Sequence, residues 1–303
     1  MSAPTTPATP PSELPPTIGE FRASASVSDP TRITGLGPLR HLPGTWVGRG
    51  FNVISRPDFH HGNPFFLQLN ETRETLSFEA VGAPIPNRGS RQDDIIYNGV
   101  NYLQRVSDMQ TGGALHLEPG FWLHLPVTQV PNVPTATVVR LATIPHGDSL
   151  LAQGTPLQPP DNWNAPSGQP RIDDVDATPV QQGTSTKLTG RYLEQFSTAP
   201  LSGDITRDMV LNPNLLLRRA IEGQHIFKTK VLIIDTAPVG GITNVPFVVQ
   251  NADAVRLQAV FWIEFVRGHS GHEFMQLQYT QTVTLRFDGI DWPHISVATL
   301  VKQ

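Results

Sequence analysis

His294 is the residue of this chain whose type and setting best suit metal chemistry. It lies in the stretch LQYTQTVTLRFDGIDWPHISVATL, from Leu277 to Leu300, which has the pattern of two pairing strands. Ser296 and Ala298 fall on the same strand face, so small side chains leave room for a flat ligand over the imidazole. His294 is therefore a candidate iron ligand. The alternative is a hydrogen-bonded or surface histidine at the start of a strand.

The strands that must position His294 form a predicted hairpin. In the first arm, alternate residues share one face, which is typical of a half-buried strand: Tyr279, Gln281, Val283 and Leu285. Asp288-Gly289 follows as a tight turn, because glycine accepts the positive φ that such turns need. The second arm is predicted to run from His294 to Val301.

The rest of the chain shows many short alternating or β-branched runs bounded by Gly, Pro, Asn or Asp. In the first of them, Gly44, Gly48 and Gly50 interrupt a strand-like run, which indicates a bulge or a close approach of the backbone to another group. The one helix-like segment runs from Leu215 to Gln224, with Asn214 as the expected N-cap. The pattern predicts an all-β protein, either an up-and-down barrel or a sandwich.

The composition excludes several classes of function. A formal charge of -4 and a pI near 6.2 give no reason to expect nucleic-acid or anionic-membrane binding. The absence of cysteine excludes disulfides, thiolate catalysis and cysteine-ligated metal sites, and it fits a reducing compartment. The first residues have neither a basic start nor an apolar run, so we expect no signal peptide, no membrane anchor and a cytoplasmic protein. The sequence gives no oligomeric state.

The domain organisation follows from two segments that are too polar to form core. Residues 1–36 are expected to be a disordered tail rich in Pro and Thr. Residues 37–303 are expected to form a single β-barrel domain. It carries a long loop and helical insertion at about 155–220, in which residues 155–190 are an insertion, a lid or a mobile loop.

Four blocks of the sequence resemble the nitrobindin family, and they occur in the same order. They are LPGTWVGRG at 42–50, LHLEPGFW at 115–122, VVRLATIPHGDSLLAQG at 138–154 and YTQTVTLRFDGIDWPHISVATL at 279–300. The resemblance implies an antiparallel, calycin-like β-barrel of the nitrobindin type that holds heme b. This chain is longer than the compact family domain, so the insertion is a departure from the pattern.

The resemblance also implies roles for particular residues. The proximal iron ligand of the family falls on His294, and the glycine-rich first strand beside the heme falls on Gly44, Thr45, Trp46 and Gly48. The implied small ligand is nitric oxide, and the implied activity is isomerisation of peroxynitrite to nitrate or a peroxidase-like reaction at ferric heme. The other open function is a heme-free barrel that binds or transforms an apolar small molecule.

His146 lies near the expected barrel mouth, in the sequence IPHG of the third block. It is either a group on the distal side of the iron, where it would act as sixth ligand or acid-base residue, or a loop histidine with no role; the second is preferred. His116 and Glu118 fall on one strand face, where either they form a buried polar pair or, as the preferred interpretation, His116 is a satisfied core histidine. His60 and His61 are expected in a solvated loop.

Overall fold

The computed structural model describes residues 35–133, 137–157, 198–237, 240–268 and 271–303. The predicted tail lies outside these ranges except for Gly35 and Leu36, and residues 158–197 of the predicted insertion also lie outside them. The strands in the described ranges are β1 Gly44–Asp58, β2 Asn63–Ala80, β3 Ile85–Asn87, β4 Ile95–Asp108, β5 Ala114–Leu125, β6 Thr137–Ile144, β7 Asp148–Leu157, β8 His225–Asp235, β9 Gly241–Asn244, β10 Asp253–Arg267, β11 Glu273–Phe287 and β12 Ile290–Lys302.

Four helical segments accompany these strands in the described residues. They are a 3₁₀ helix at Gly37–His41, α1 at Arg207–Leu211, α2 at Asn214–Ile221 and α3 at Pro246–Asn251. Helix α2 confirms the predicted helical segment, although Asn214 is its first residue rather than its N-cap. Within the described part of the chain, no helix has the length and apolar character needed to cross a membrane.

The strands form a closed barrel, which decides between the two predicted all-β architectures. Antiparallel pairing follows the order β2–β1–β12–β11–β10–β8–β7–β6–β5–β4, and β4 pairs with β2 to close the ring. In the described residues the ring therefore contains ten strands, while β3 pairs only with β4 and β9 only with β7. The prediction of an all-β antiparallel barrel is confirmed.

Glycines let β1 approach β12 closely, as the sequence pattern indicated. A Cβ added to Gly48 would lie 2.0 Å from the backbone oxygen of Thr299, and one added to Gly50 would lie 2.4 Å from that of Val297. Real Cβ atoms do not tolerate such distances, so these positions exclude larger side chains. The two glycines therefore set the spacing between β1 and β12, the strand that carries His294.

The barrel interior has an apolar end and a hollow end. At the apolar end, large side chains pack together under the 3₁₀ helix, among them Leu39, Trp46, Trp122 and Leu300. The indole N–H of Trp46 donates to the Leu42 carbonyl at 2.7 Å, so this buried polar group is satisfied. This plug closes one end of the ring and leaves the interior open at the end where β12 begins.

A second apolar cluster lies on the outside of the barrel, beneath α1 and α2. Met209 and Leu217 from the helices pack with Phe51, Val297 and other outward-facing strand residues. The hydroxyl of Thr280 donates to Oδ1 of Asn214, which links the start of α2 to β11. The described part of the predicted insertion therefore packs against the outer wall near the strands that hold His294.

The predicted hairpin is present, with one correction. Asp288 and Gly289 form the turn with φ values of 53° and 71°, but the second strand begins at Ile290, four residues before His294. Pro293 therefore lies inside the strand rather than before it. It pairs only with Thr284 of β11, because the pairing of β12 with β1 begins at His294. A proline is tolerated where no ladder hydrogen bond is needed from its nitrogen.

Candidate functional site

The hollow end of the barrel contains a cavity of about 360 Å³. This volume lies in the range of roughly 300 to 1,000 Å³ that is usual for small-molecule and cofactor sites. Most of its lining is aliphatic, and β9 and α3 contribute Ile242 and Val248 beside the mouth. The polar side chains in the lining are Asn52, Gln68, Gln104, His116, His146, Asp148, Tyr279, Gln281, His294 and Ser296.

His294 lies in this cavity, between strands that hold its backbone on both sides. It pairs with Ile54 of β1 and Val283 of β11, and Ser296 follows it on the same inner face. Burial, helped by the nearby His116 and His146, lowers the pKa of His294 from 6.5 to about 4. The ring is therefore neutral at neutral pH. Neither of its nitrogens has a hydrogen-bond partner among the described residues, so a lone pair is available to a ligand.

His146 faces His294 from the opposite wall. It lies in the turn that joins β6 to β7. In the ring of ten strands, β6 is five strands from β12 in either direction, so the two strands lie opposite each other. The His146 ring is exposed at the mouth, and its centroid lies 5.5 Å from that of His116 on β5. His146 therefore lies in an exposed turn at the cavity mouth, among the lining residues.

His116 is fixed by a buried polar network behind it. Its Nε2 lies 3.1 Å from Oε2 of Glu118, so the two residues form the polar pair that was the less favoured interpretation of the sequence. The other carboxylate oxygen of Glu118 accepts hydrogen bonds from the Tyr102 hydroxyl and from Arg140, whose Nε lies 3.0 Å away. Burial alone would raise the pKa of Glu118, but the Arg140 charge and the His116 hydrogen bond outweigh it and hold the pKa at about 2.

The floor of the cavity is a second network, in which the polar groups satisfy one another. The Tyr279 hydroxyl donates to Oε2 of Glu74 at 2.6 Å, and the amide of Gln104 donates to the Tyr279 oxygen at 3.1 Å. Gln281 accepts a hydrogen bond from Nη1 of Arg140 at 2.7 Å. Burial raises the pKa of the Glu74 carboxyl. These side chains separate the cavity from the apolar plug below.

Two polar atoms in the cavity lining are buried without a partner. They are Oδ1 of Asn52, on β1 beside the His294 strand, and Oδ1 of Asp148, at the start of β7. Burial raises the pKa of Asp148, and the nearby His146 and His116 oppose that shift. Buried acceptors are rarely left unpaired, so both atoms indicate a position where a ligand or water is bound.

The structure brings His294 and His146 together, but it places the other sequence-predicted residues elsewhere. Gly44, Thr45, Trp46 and Gly48 do not line the cavity. At about 3.3 Å per residue, Trp46 lies roughly 26 Å along β1 from Ile54 in the lining, and it belongs to the apolar plug. The prediction that this glycine-rich stretch contacts a heme has no support from the lining. His60 and His61 are exposed in the β1–β2 turn, as predicted.

Sequence reasoning missed Asn52, His116 and Asp148 as residues of the site. Asn52 could have been found, because it continues the alternation of inward residues from Trp46 through Gly48 and Gly50. His116 was recognised only as the partner of Glu118. Asp148 could not have been found from its own segment, since its position in the cavity depends on closure of the ring and on the pairing of β7 with β9.

The fold and this site define a closed antiparallel β-barrel with a histidine-lined internal cavity. No protein-family model and no curated protein matches the sequence. A crystal structure of Rv2717c from M. tuberculosis is similar over 90% of this chain and 97% of that chain, with 16% sequence identity and a TM-score of 0.43.

Proposed function

We propose that this barrel binds heme b in its cavity, that His294 would hold the iron, and that the heme-loaded protein binds nitric oxide. One observation carries the proposal: a neutral imidazole without a hydrogen-bond partner among the described residues faces a largely aliphatic cavity of about 360 Å³. A neutral imidazole is the form that ligates iron. The nitrobindin-like order of sequence blocks, which ends at the same histidine, supports the assignment.

The chemistry of the lining fits an iron porphyrin. His294 supplies the nitrogen donor, and aliphatic side chains such as Val283, Leu285 and Leu257 supply apolar surface around it. The described lining contains no lysine or arginine, so it offers no cation for the propionates. When bound, heme would supply an iron with a coordination position for a small ligand and with Lewis acidity towards it.

The residues of the opposite wall would act on that ligand. Glu118 holds the His116 ring in one orientation, and His146 lies beside it at the mouth. Imidazole side chains at these positions would be available as general acid-base groups towards a ligand in the cavity. We therefore propose isomerisation of peroxynitrite to nitrate as the first activity to assay, with a peroxidase-like reaction as its competitor.

A second candidate is a heme-free barrel that binds an apolar small molecule. The observation that favours it is the predominance of aliphatic residues in the lining, which includes Ile242 and Val248 from the segment beside the mouth. In that case His294 would act as a hydrogen-bonding group rather than as an iron ligand.

An absorption titration with ferric heme separates the two candidates. For the wild type we expect a saturable Soret band at one heme per chain, and for His294→Ala we expect loss of that band. His60→Ala is the matched control, because His60 is exposed in a turn and should leave the titration unchanged. Equal binding by wild type and His294→Ala, or no stoichiometric binding by either, would contradict the proposal and favour the heme-free barrel.

A further inference from the structure

The polar groups of the cavity lining divide into those that are already satisfied and those that are not. Gln68 donates to Asn70 at 2.6 Å and accepts from Arg56 at 2.8 Å, and the floor residues are paired as described above. Among the described residues of the lining, two buried acceptors have no partner: Oδ1 of Asn52 on β1, and Oδ1 of Asp148 on the wall of β5, β6 and β7. This wall therefore has hydrogen-bonding capacity that the described protein groups do not use.

When its ring is neutral, His116 adds a second acceptor to this wall. Glu118 is ionised, because Arg140 holds its pKa at about 2, and an ionised carboxylate can only accept hydrogen bonds. The hydrogen between the two side chains must therefore lie on Nε2 of His116. In the neutral ring the remaining nitrogen, Nδ1, then carries a lone pair and acts as an acceptor.

Asn244 cannot supply the missing donor to Asp148. It lies directly opposite Asp148 in the pairing of β7 with β9, but its amide hydrogens already go to Oδ1 of Asp253 at 2.7 Å and to the Ala254 carbonyl at 2.9 Å. Its own Oδ1 is also buried without a partner. Acceptors therefore accumulate at this wall, and neither Asn244 nor an ionised Asp148 supplies a donor for them.

We infer that the ligand of this cavity carries a hydrogen-bond donor, an O–H or N–H group, on the end that faces His116 and Asp148. The inference goes beyond the proposed function, because it describes the apo cavity and does not depend on heme. If heme is bound, the inference selects between the two proposed ligands: it favours the acid form of peroxynitrite over nitric oxide, which has no hydrogen to donate. If heme is not bound, it names an apolar molecule with one protic end.

Phenol and toluene provide the test, because they have the same shape and differ only in an O–H group against a methyl group. Binding of each to the heme-free, full-length protein can be measured by calorimetry. We expect the wild type to bind phenol about tenfold more tightly than toluene, which corresponds to about 1.4 kcal/mol and is within the usual net contribution of one hydrogen bond. In Asp148→Leu the phenol-to-toluene ratio should fall about tenfold.

Two further variants make the result interpretable. His116→Phe removes the second acceptor and should also lower the ratio; if it does not fold, Asp148→Leu carries the test alone. Leu115→Met changes an apolar residue of the same lining and should keep the wild-type ratio. Toluene binding as tightly as phenol, an unchanged ratio in Asp148→Leu, or no binding of either probe would overturn the inference. Toluene binding as tightly as phenol would indicate that the Asp148 carboxyl takes up a proton and donates a hydrogen bond to Oδ1 of Asn244. None of these outcomes depends on heme binding, so failure here is distinct from failure of the heme titration.

Discussion

Arg140 and Glu118 form an ion pair inside the barrel, with only 2% and 1% of their side-chain surfaces exposed. The guanidinium carbon of Arg140 lies 5.6 Å from the ring centre of Tyr102, 5.9 Å from that of Trp122 and 5.7 Å from that of Phe261. The pair connects the apolar plug to the histidine wall of the cavity, because Glu118 also contacts His116.

Arg140→Met should strongly destabilise the protein. It leaves the buried Glu118 carboxylate without its cation, and loss of one partner of a buried pair costs about 3 to 5 kcal/mol. Unfolding in urea measures the change. Arg267→Met is the control, because Arg267 and Glu273 form a pair that is about half exposed, for which about 0 to 1 kcal/mol is expected. Similar losses in both variants would contradict this account of the buried pair.

Gly48→Ala tests whether the first-strand glycines serve strand packing. Because its Cβ would lie 2.0 Å from the Thr299 oxygen, β1 and β12 would have to separate. We expect a loss of about 2 to 4 kcal/mol in the free energy of unfolding, a large value for a single substitution. Gly113→Ala is the control, since its nearest neighbour is a side-chain oxygen of Thr111 at 3.2 Å. Thermal unfolding of both variants measures the loss. An unchanged free energy of unfolding in Gly48→Ala would contradict the role of this glycine in strand packing.

Most of the barrel strands could be predicted from the sequence, because each alternates or is β-branched and ends at turn residues. The β11–β12 hairpin is an example: the Asp288-Gly289 turn fixes its register, and the inner faces follow from a period of two. Closure of the ring could not be predicted, since it depends on pairing of β2 with β4 rather than on any local signal. For that reason the sequence left two alternatives for His146, a group opposite His294 and a loop histidine with no role.

The short elements at the cavity mouth were also beyond prediction. Strand β9 has only four residues and α3 only six, so neither shows a usable periodicity. They are held by tertiary contacts: Gly147 accepts a hydrogen bond from the Val245 amide at 2.8 Å. The unpartnered oxygen of Asp148 depends on these tertiary contacts, so no local sequence pattern could indicate it.

Glu264→Gln should stabilise the protein at high pH and not at low pH. Burial raises the pKa of Glu264 from 4.5 to about 7. The native state therefore holds this proton more tightly than the unfolded state does, and wild-type stability falls as the pH rises from about 4.5 to 7. The full loss is about 3 kcal/mol, at 1.36 kcal/mol per pKa unit.

The measurement is the free energy of unfolding of Glu264→Gln and wild type at pH 5 and pH 8. The variant should gain up to about 3 kcal/mol over the wild type at pH 8, and much less at pH 5. Glu273→Gln, at an exposed position of the neighbouring strand, is the control and should show no such pH dependence. A variant that is less stable than wild type at pH 8 would contradict the account.

Heme affinity should be nearly independent of pH from 8 down to about 5. Ligation needs a neutral imidazole, and burial keeps the pKa of His294 at about 4, so the ring stays neutral over this range. An ordinary exposed histidine would lose its neutral form below about pH 6.5. Soret titrations at several pH values measure the affinity, and a midpoint near 6.5 would indicate ligation by an exposed histidine instead.

The most direct test of the central claim is the vibrational spectrum of the iron–ligand bond in the ferrous, heme-loaded protein. Resonance Raman spectra should contain an iron–histidine stretching band that shifts when histidine is labelled with ¹⁵N. The band should be absent from His294→Ala and unchanged in His60→Ala. A band that is insensitive to the label, or one that persists in His294→Ala, would contradict the assignment of His294 as the iron ligand.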